Sequence, residues 1–275
     1  MNRVIKDFGS EWEKFNYLDN EHDVFIKNQF QKYLNPLPAY SLSLDKTIAA
    51  DFGAGSGRWT RELAKQVKLV HSIEPSDGAF KTLSVALHGN EKVLIHHCSI
   101  QDLNLDADYL DFAMSLGVLH HIEDTQDALN RIFYFLKPGG IFLGYLYYNL
   151  DNRPKFYQLI WNLSNLIRRG ISRLPTIIKA PLAELIALVI YWPLARLSRL
   201  LDKFNVSTEN LPLHQYSQKS FYVMRNDALD RFGTRLEKRF SKAEITEMLL
   251  AAGANPASIR FSPEEPFWCF SATKR

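Results

Sequence analysis

Between Ala49 and Trp59 the chain reads AADFGAGSGRW, with Gly53, Gly55 and Gly57 on alternate positions behind a short apolar run. Glycines directly after a strand let a bulky polar guest approach the backbone. The spacing is GxGxG. A dinucleotide fingerprint needs its third glycine after two intervening residues, and a P-loop needs Gly-Lys-Ser/Thr; neither is present. Asp51 stands two residues before the first glycine. A carboxylate there repels a pyrophosphate and suits a cationic or hydrogen-bond-donating group. The loop therefore favours a guest without phosphate over an empty βα turn. A second acid, Glu74 in HSIEPS, follows Gly57 by seventeen residues. An acid ending a second strand accepts hydrogen bonds from both hydroxyls of a ribose. Alone, Glu74 would read as an exposed strand-end acid; beside the loop it reads as a ribose acceptor.

Two histidines, His120 and His121 in LHHI, follow the fourth apolar run. That is the carboxyl edge of the sheet, where ligands bind in open α/β folds. An imidazole titrating at about 6.5 suits proton removal at neutral pH. The competing reading has one ring packed in the turn on a backbone group. After the fifth run, YLYYNLDNRP brings Tyr147, Asp151 and Arg153 to another strand end as candidate substrate contacts. Asp151 or Asn152 reads equally well as the cap of the next helix.

The elements that must position these groups alternate along the chain. TIAADF, LVHSIE, KVLIHHC, YLDFAMSL and IFLGYLYY read as strands. The helices between them span about Arg58–Gln66, from Ser76 as N-cap, and from Asp124 or Thr125 to Leu136, with KPGG a turn before the fifth strand. Such alternation predicts right-handed βαβ units and a parallel sheet. Ser241 and Glu244 form a capping-box pattern opening a helix to Ala252, closed by Gly253. ASIRFS and FWCFSAT follow as strands joined by PEEP, suited to a hairpin. The expected fold class is α/β, a Rossmann-like seven-stranded and mostly parallel sheet with helices on both faces and the last strand antiparallel. A helix at about Asp23–Tyr33, broken by NPLP, places a helical cap at 1–45. Residues 150–235 break the alternation and read as a helical lid or substrate insertion between core segments 46–149 and 236–275.

These motifs, in order, resemble the class I S-adenosylmethionine-dependent methyltransferases, closest to their broad small-molecule group. The likeness covers about Thr47–Tyr147 and resumes at Arg239–Thr273. DFGAGSGRW is similar to the family's first motif, IEPS to its ribose acid, HCSIQDLNL to the segment flanking adenine, YLDFAMSLGVLHHIED to the fourth strand and its turn, and LKPGGIFL to the turn into the fifth. The resemblance implies cofactor contacts from Asp51, Gly53, Ala54, Gly55, Gly57, Glu74, Pro75, Ser99, Ile100 and Leu116. In it Asp51 holds the ammonium end of the methionine moiety and Glu74 the ribose. Ser99 stands where many relatives carry an Asp to the adenine amino group, so its hydrogen bond there is weak; Asp102 is a fallback acid. Ile100 offers its N–H and an apolar contact. His121 is favoured over His120 as the catalytic base. The implied cofactor is S-adenosyl-L-methionine, the product S-adenosyl-L-homocysteine, and no metal is expected.

The 275 residues carry a net charge of +3. From Arg153 to Lys203, nine Lys/Arg face two acids, a net of +7, leaving about −4 elsewhere. That segment is also strongly apolar, with Trp161, Tyr191 and Trp192. Its uncharged run between Glu184 and Arg196 is eleven residues, and a spanning helix needs about 20, so with Pro181 and Pro193 as limits no transmembrane span is expected. A cationic amphipathic stretch suits a membrane surface; a helical cap or a homodimer contact through 153–203 is the plainer expectation. Too many Leu and Ile interrupt it for a phosphate-binding face, so no nucleic-acid partner is favoured. Two cysteines without CxxC and no histidine cluster at metal spacing indicate neither a zinc site nor a disulfide framework. MNRVIKDFGSEWEKF lacks an apolar h-region, so a cytoplasmic location is expected, extended to a peripheral membrane position. The expected activity is methyl transfer to a small molecule, with an apolar or lipid-linked acceptor as the narrower form. The rivals are an RNA or protein methyltransferase, though no Asn/Asp-Pro-Pro-aromatic run stands where SLGVLHH does, and a non-catalytic S-adenosylmethionine-binding protein.

Overall fold

The computed structural model describes residues 5, 14–15, 23–38, 42–43, 45–208, 210–265 and 267–275; most of the expected 1–22 part of the cap lies outside them. The chain divides into two compact units, one within Met1–Asn149 and Leu236–Arg275, the other Leu150–Arg235.

The first unit is built on a seven-stranded sheet. Its strands are β1 (Ile48–Phe52), β2 (Leu69–Ile73), β3 (Val93–His96), β4 (Leu110–Leu116), β5 (Leu136–Tyr145), β6 (Arg260–Phe261) and β7 (Cys269–Thr273). Their spatial order is β3-β2-β1-β4-β5-β7-β6. β1 to β5 pair in parallel, and β7 runs antiparallel to both β5 and β6. β1 and β4 are near-continuous apolar runs because both faces of a parallel sheet are covered. Phe52, Phe142 and Phe270 fill the core with Phe133 and Phe135 of α4 (Thr125–Phe135) and with Ile245 and Leu249 of α9 (Lys242–Ala251). On α1 (Asp23–Leu34), Phe30 and Tyr33 pack their rings on Trp59 of α2 (Arg58–Leu63), and Asp23 pairs with Arg61 at 2.9 Å.

Local chemistry sets the helix starts. Ser76 caps α3 (Asp77–Ala86) through Ala79 N–H, and Asp124 caps α4 through Asp127 N–H. Ser241 and Glu244 close a reciprocal capping box at α9. Ser241→Ala removes the acceptor for the Glu244 N–H, and a loss of about 1 kcal/mol is expected in urea unfolding.

Two expectations need correction. KPGG is not a turn ahead of the fifth strand but a bulge inside it. Leu110 pairs with Leu136 and Phe112 with Ile141, so Lys137–Gly140 stand opposite Asp111 alone. The Lys137 ammonium bonds the Asp111 carboxylate at 2.6 Å, and Gly139 takes the left-handed conformation the bulge requires. The strand also ends at Tyr145 rather than Tyr148, because Tyr147 and Tyr148 pair instead with Phe240.

The second unit is helical: α5 (Lys155–Ile171), α6 (Thr176–Ile186), a π-helical turn (Ala187–Tyr191), α7 (Trp192–Lys203) and α8 (Phe221–Gly233). Ala187, Tyr191, Ala195, Met224, Ala228 and Phe232 form its core. α8 buries Val223, Met224, Leu229 and Phe232, and the chain then returns to the first unit. Neither Asp151 nor Asn152 caps α5, which starts behind Pro154. The prolines do not divide the apolar segment either. Pro181 lies inside α6 and Pro193 in the first turn of α7. The π turn, with Trp192 N–H bonded to Ala187 O, shifts the hydrogen-bond ladder just ahead of the donor that Pro193 lacks. One helix thus runs unbroken over the 28 residues Thr176–Lys203, long and apolar enough to cross a membrane by length and composition. The eleven uncharged residues between Glu184 and Arg196 are therefore only part of a helix of spanning length. One side of this helix is nonetheless tied to α8: Lys179 Nζ donates to Gly233 O, and Glu184 pairs with Arg225, both at 2.8 Å.

Candidate active site

β1 carries Asp51 next to its last residue, Phe52, and the chain then turns at once. Gly53, Gly55 and Gly57 all hold positive φ, at 82°, 58° and 83°. The N–H groups of Gly53 and Ala54 both donate to Ile73 O at the end of β2, and Gly57 caps α2. A Cβ on Gly53 would come within 2.5 Å of Val118 Cγ1, so the turn is closed to larger residues by contact as well as by φ.

Two buried acids converge on this loop. Asp51 is 1% exposed, and its carboxylate accepts from Thr60 Oγ1 on α2 at 2.6 Å. Thr60 in turn shares a hydrogen bond with Ser72 of β2. Burial pushes the Asp51 carboxyl up to about 7; the Thr60 bond opposes the rise, and the charge of Glu74 adds to it. Glu74 is 6% exposed. Its two oxygens accept from Gly55 N–H and Ser76 N–H, each at 2.9 Å, so it ties the glycine loop to the start of α3. Burial raises its carboxyl too, against those two bonds. Pro75 joins Glu74 to the cap residue.

Buried acids are costly unless cations or donors complete them. The donor set fits an adenosyl amino acid, with an ammonium for Asp51 and ribose hydroxyls for the remaining lone pairs of Glu74. A pyrophosphate would meet like charge at both. Ala54 and Leu116 are buried at the ends of the loop and of β4, and Ile100 lies in the core beside β4. Ser99 is otherwise engaged: its hydroxyl donates to Asp102 at 2.6 Å and accepts from Asp102 N–H. The pair closes a local turn that commits the Ser99 O–H and one oxygen of Asp102.

The histidines occupy a short 3-10 turn, Leu119–His121, after β4. His120 is fully buried, its ring 3.7 Å from that of Tyr147 and 4.1 Å from that of His121. Among the described residues neither of its ring nitrogens has a hydrogen-bond partner. Burial holds it neutral, well below the usual imidazole range, and His121 and Arg239 add to the effect. His121 Nδ1 lies 2.6 Å from Leu236 O. A carbonyl only accepts, so Nδ1 carries the proton and Nε2 of the neutral ring carries a lone pair. Tyr147 packs over both rings with the Arg239 guanidinium 5.3 Å from its centre. Asp151 and Arg153 fall in the second unit, where Arg153 lies over Tyr157.

Three contributors escape a reading of motifs. Thr60 orients Asp51 from nine residues away, and Val118 seals the loop. Residues 236–240 hold the histidine turn through Leu236 O and through Lys238 N–H, which donates to His120 O. The only sequence signal for Thr60 is a hydroxyl on the buried face of α2.

Residues 50–144 match the family model of a methyltransferase domain. An uncharacterised methyltransferase of Mycobacterium tuberculosis is 25% identical over 122 residues, which are 44% of this chain and 59% of that protein. The chain thus spans about three-fifths of the length of that relative. Two solved structures share the fold. The methyltransferase bound to the Trm112 activator of Haloferax volcanii has a TM-score of 0.52 at 13% identity, covering 97% of this chain and 96% of that one. A candidate S-adenosylmethionine-dependent methyltransferase of Listeria monocytogenes has a TM-score of 0.51 at 14% identity, covering 90% and 98%. With the motifs in order on this sheet, residues 50–144 form a methyltransferase domain of the class I, S-adenosylmethionine-dependent type.

Proposed function

We propose that the chain transfers the methyl group of S-adenosylmethionine to a small-molecule acceptor, an apolar or lipid-linked one in the narrower form. The observation carrying the cofactor assignment is the pair of buried acids, Asp51 and Glu74, tied through Thr60 and Gly55 to a loop that only glycine fits. The apolar surface of the second unit supports the narrower acceptor class. Asp51 receives the ammonium, Glu74 the ribose, and Ala54, Ile100 and Leu116 supply apolar walls. S-adenosylmethionine bound there would supply an electrophilic methyl group for in-line displacement. Holding the acceptor close and aligned provides most of the acceleration. His121 takes the acceptor's proton at Nε2, with Nδ1–H anchored on Leu236 O. His120, neutral and sealed under Tyr147, sets the position of its neighbour.

Incubation with labelled methyl donor and cell extract, followed by partition, tests the reading. Label in small molecules of the organic phase is expected. Label confined to water-soluble small molecules overturns the apolar form, and label in RNA or protein overturns the small-molecule form. Binding of S-adenosylhomocysteine without any transfer identifies a non-catalytic binding protein. With the acceptor in hand, His121→Ala is expected to lower kcat by about a hundredfold while leaving S-adenosylhomocysteine affinity unchanged. An unchanged kcat removes His121 as the base.

A further inference from the structure

The second unit has an apolar core and, in addition, a strongly apolar outer surface. On α5 the side chains of Phe156, Leu159, Ile160, Leu163, Leu166 and Ile167 are 47–65% exposed and form one stripe at helical spacing. On the following long helix Leu185, Leu188, Val189 and Trp192 are 45–55% exposed. Each of these helices also buries a cation. Arg168, 6% exposed, donates to Thr234 O, and Lys179, 2% exposed, donates to Gly233 O, both at the C-terminal end of α8. Leucines face outward where a water-facing helix would carry charge, and an apolar face of this extent marks a contact surface.

We propose that this face docks on an anionic lipid bilayer, with α5 lying in the plane of the interface. Charge complementarity selects the occupant. Lys155 and Arg169 on α5, Arg173 in the turn after it, and Arg199 and Lys203 on α7 are all exposed. A second copy of the chain would bring the same cations against themselves, since a two-fold contact pairs a patch with itself. Anionic headgroups neutralise them, while the stripe enters the acyl boundary. The helices lie on the bilayer rather than through it. The stripe covers one side of α5, and Lys179 and Glu184 tie the long helix to α8.

Co-sedimentation of the full chain with vesicles tests this. At low salt the chain is expected to pellet with equimolar phosphatidylglycerol and phosphatidylcholine, and much less with phosphatidylcholine alone. Leu159→Glu, Leu163→Glu and Leu166→Glu combined are expected to weaken pelleting by about a hundredfold or more, from the apolar area withdrawn. Arg169→Gln, Arg173→Gln and Arg199→Gln combined should also cost about a hundredfold and flatten the salt dependence, at about fivefold per cation. These positions lie outside the cofactor site, so S-adenosylhomocysteine affinity reports folding of the first unit, and helical circular dichroism that of the second. If the glutamate variant fails to fold, the arginine variant decides alone. The proposal is overturned if the parent stays in the supernatant, if both folded variants pellet like the parent, or if pelleting is equal on neutral vesicles. It is also overturned if sedimentation velocity shows a dimer that the glutamate variant splits while the parent ignores vesicles.

Discussion

Glu74→Gln is expected to lose S-adenosylhomocysteine binding by about a hundredfold or more, although it is the nearest isostere. Both carboxylate oxygens already accept a backbone N–H, from Gly55 and from Ser76. A glutamine has one acceptor oxygen, so its NH₂ must face one of those N–H groups, donor against donor. The loop is then displaced on one side, and the ribose loses a charged acceptor. Hydrogen bonds to charged groups contribute about 1.5–3 kcal/mol each, so two ribose bonds account for the loss. Folding stability should change less than binding, because removing a buried charge recovers part of its desolvation cost. Calorimetry with the product, beside a urea melt, separates the two. A Glu74→Gln protein that binds within threefold of the parent would refute the ribose assignment.

The second large effect is one of pH. With its carboxyl at about 7, Asp51 is mostly protonated at pH 5. An ammonium binds the ionised form, so S-adenosylhomocysteine affinity should rise about tenfold per pH unit from pH 5 to about 7 and then level off. In Asp51→Asn the slope should vanish, with affinity near neutral pH lowered to that of the acid limb. Thr60→Val removes a bond that lowers the carboxyl's pKa, so the plateau should move to higher pH. An affinity that is flat from pH 5 to 8 in the parent would exclude Asp51 as the ammonium site. Folding of the ligand-free chain follows the opposite trend. Between the unfolded value of 3.8 and the folded value of about 7, the native state holds a proton that the unfolded state has released. Stability from this group therefore falls as pH rises through that window, by up to about 4 kcal/mol at 1.36 kcal/mol per unit. Bound ligand restores it, so the gain in Tm on adding product should be larger at pH 7.5 than at pH 5.

What was legible in the sequence was local. Ser76, Asp124 and Ser241 announce their helices because a cap acts over three residues. The alternating apolar runs announce the strands, and the spacing of Gly53, Gly55 and Gly57 with Asp51 announces the loop. Interactions across the chain were not legible. Nothing near Asp51 points to Thr60, and nothing near His121 points to Leu236, 115 residues away. Ser99 has the right type at a matching position, yet its neighbour Asp102 captures it. Pro181 and Pro193 read as helix breaks because single-residue rules omit the π turn that accommodates the second of them. The inverted polarity of α5 is visible only once Arg168 is seen buried on the Thr234 carbonyl at the end of α8.

The strand order has a consequence for how the chain is made. β5 is complete at residue 145, but its outer partner β7 is assembled from residues 269–273. The whole of the second unit is synthesised between them. Until then β5 presents an unpaired edge of Ile141–Tyr145, the kind of edge that recruits strands from other molecules. The second unit, emerging first, has the whole of α9, β6 and β7 still to follow it before the sheet can close. Its translation time is thus the larger part of the interval during which the edge of β5 stays open.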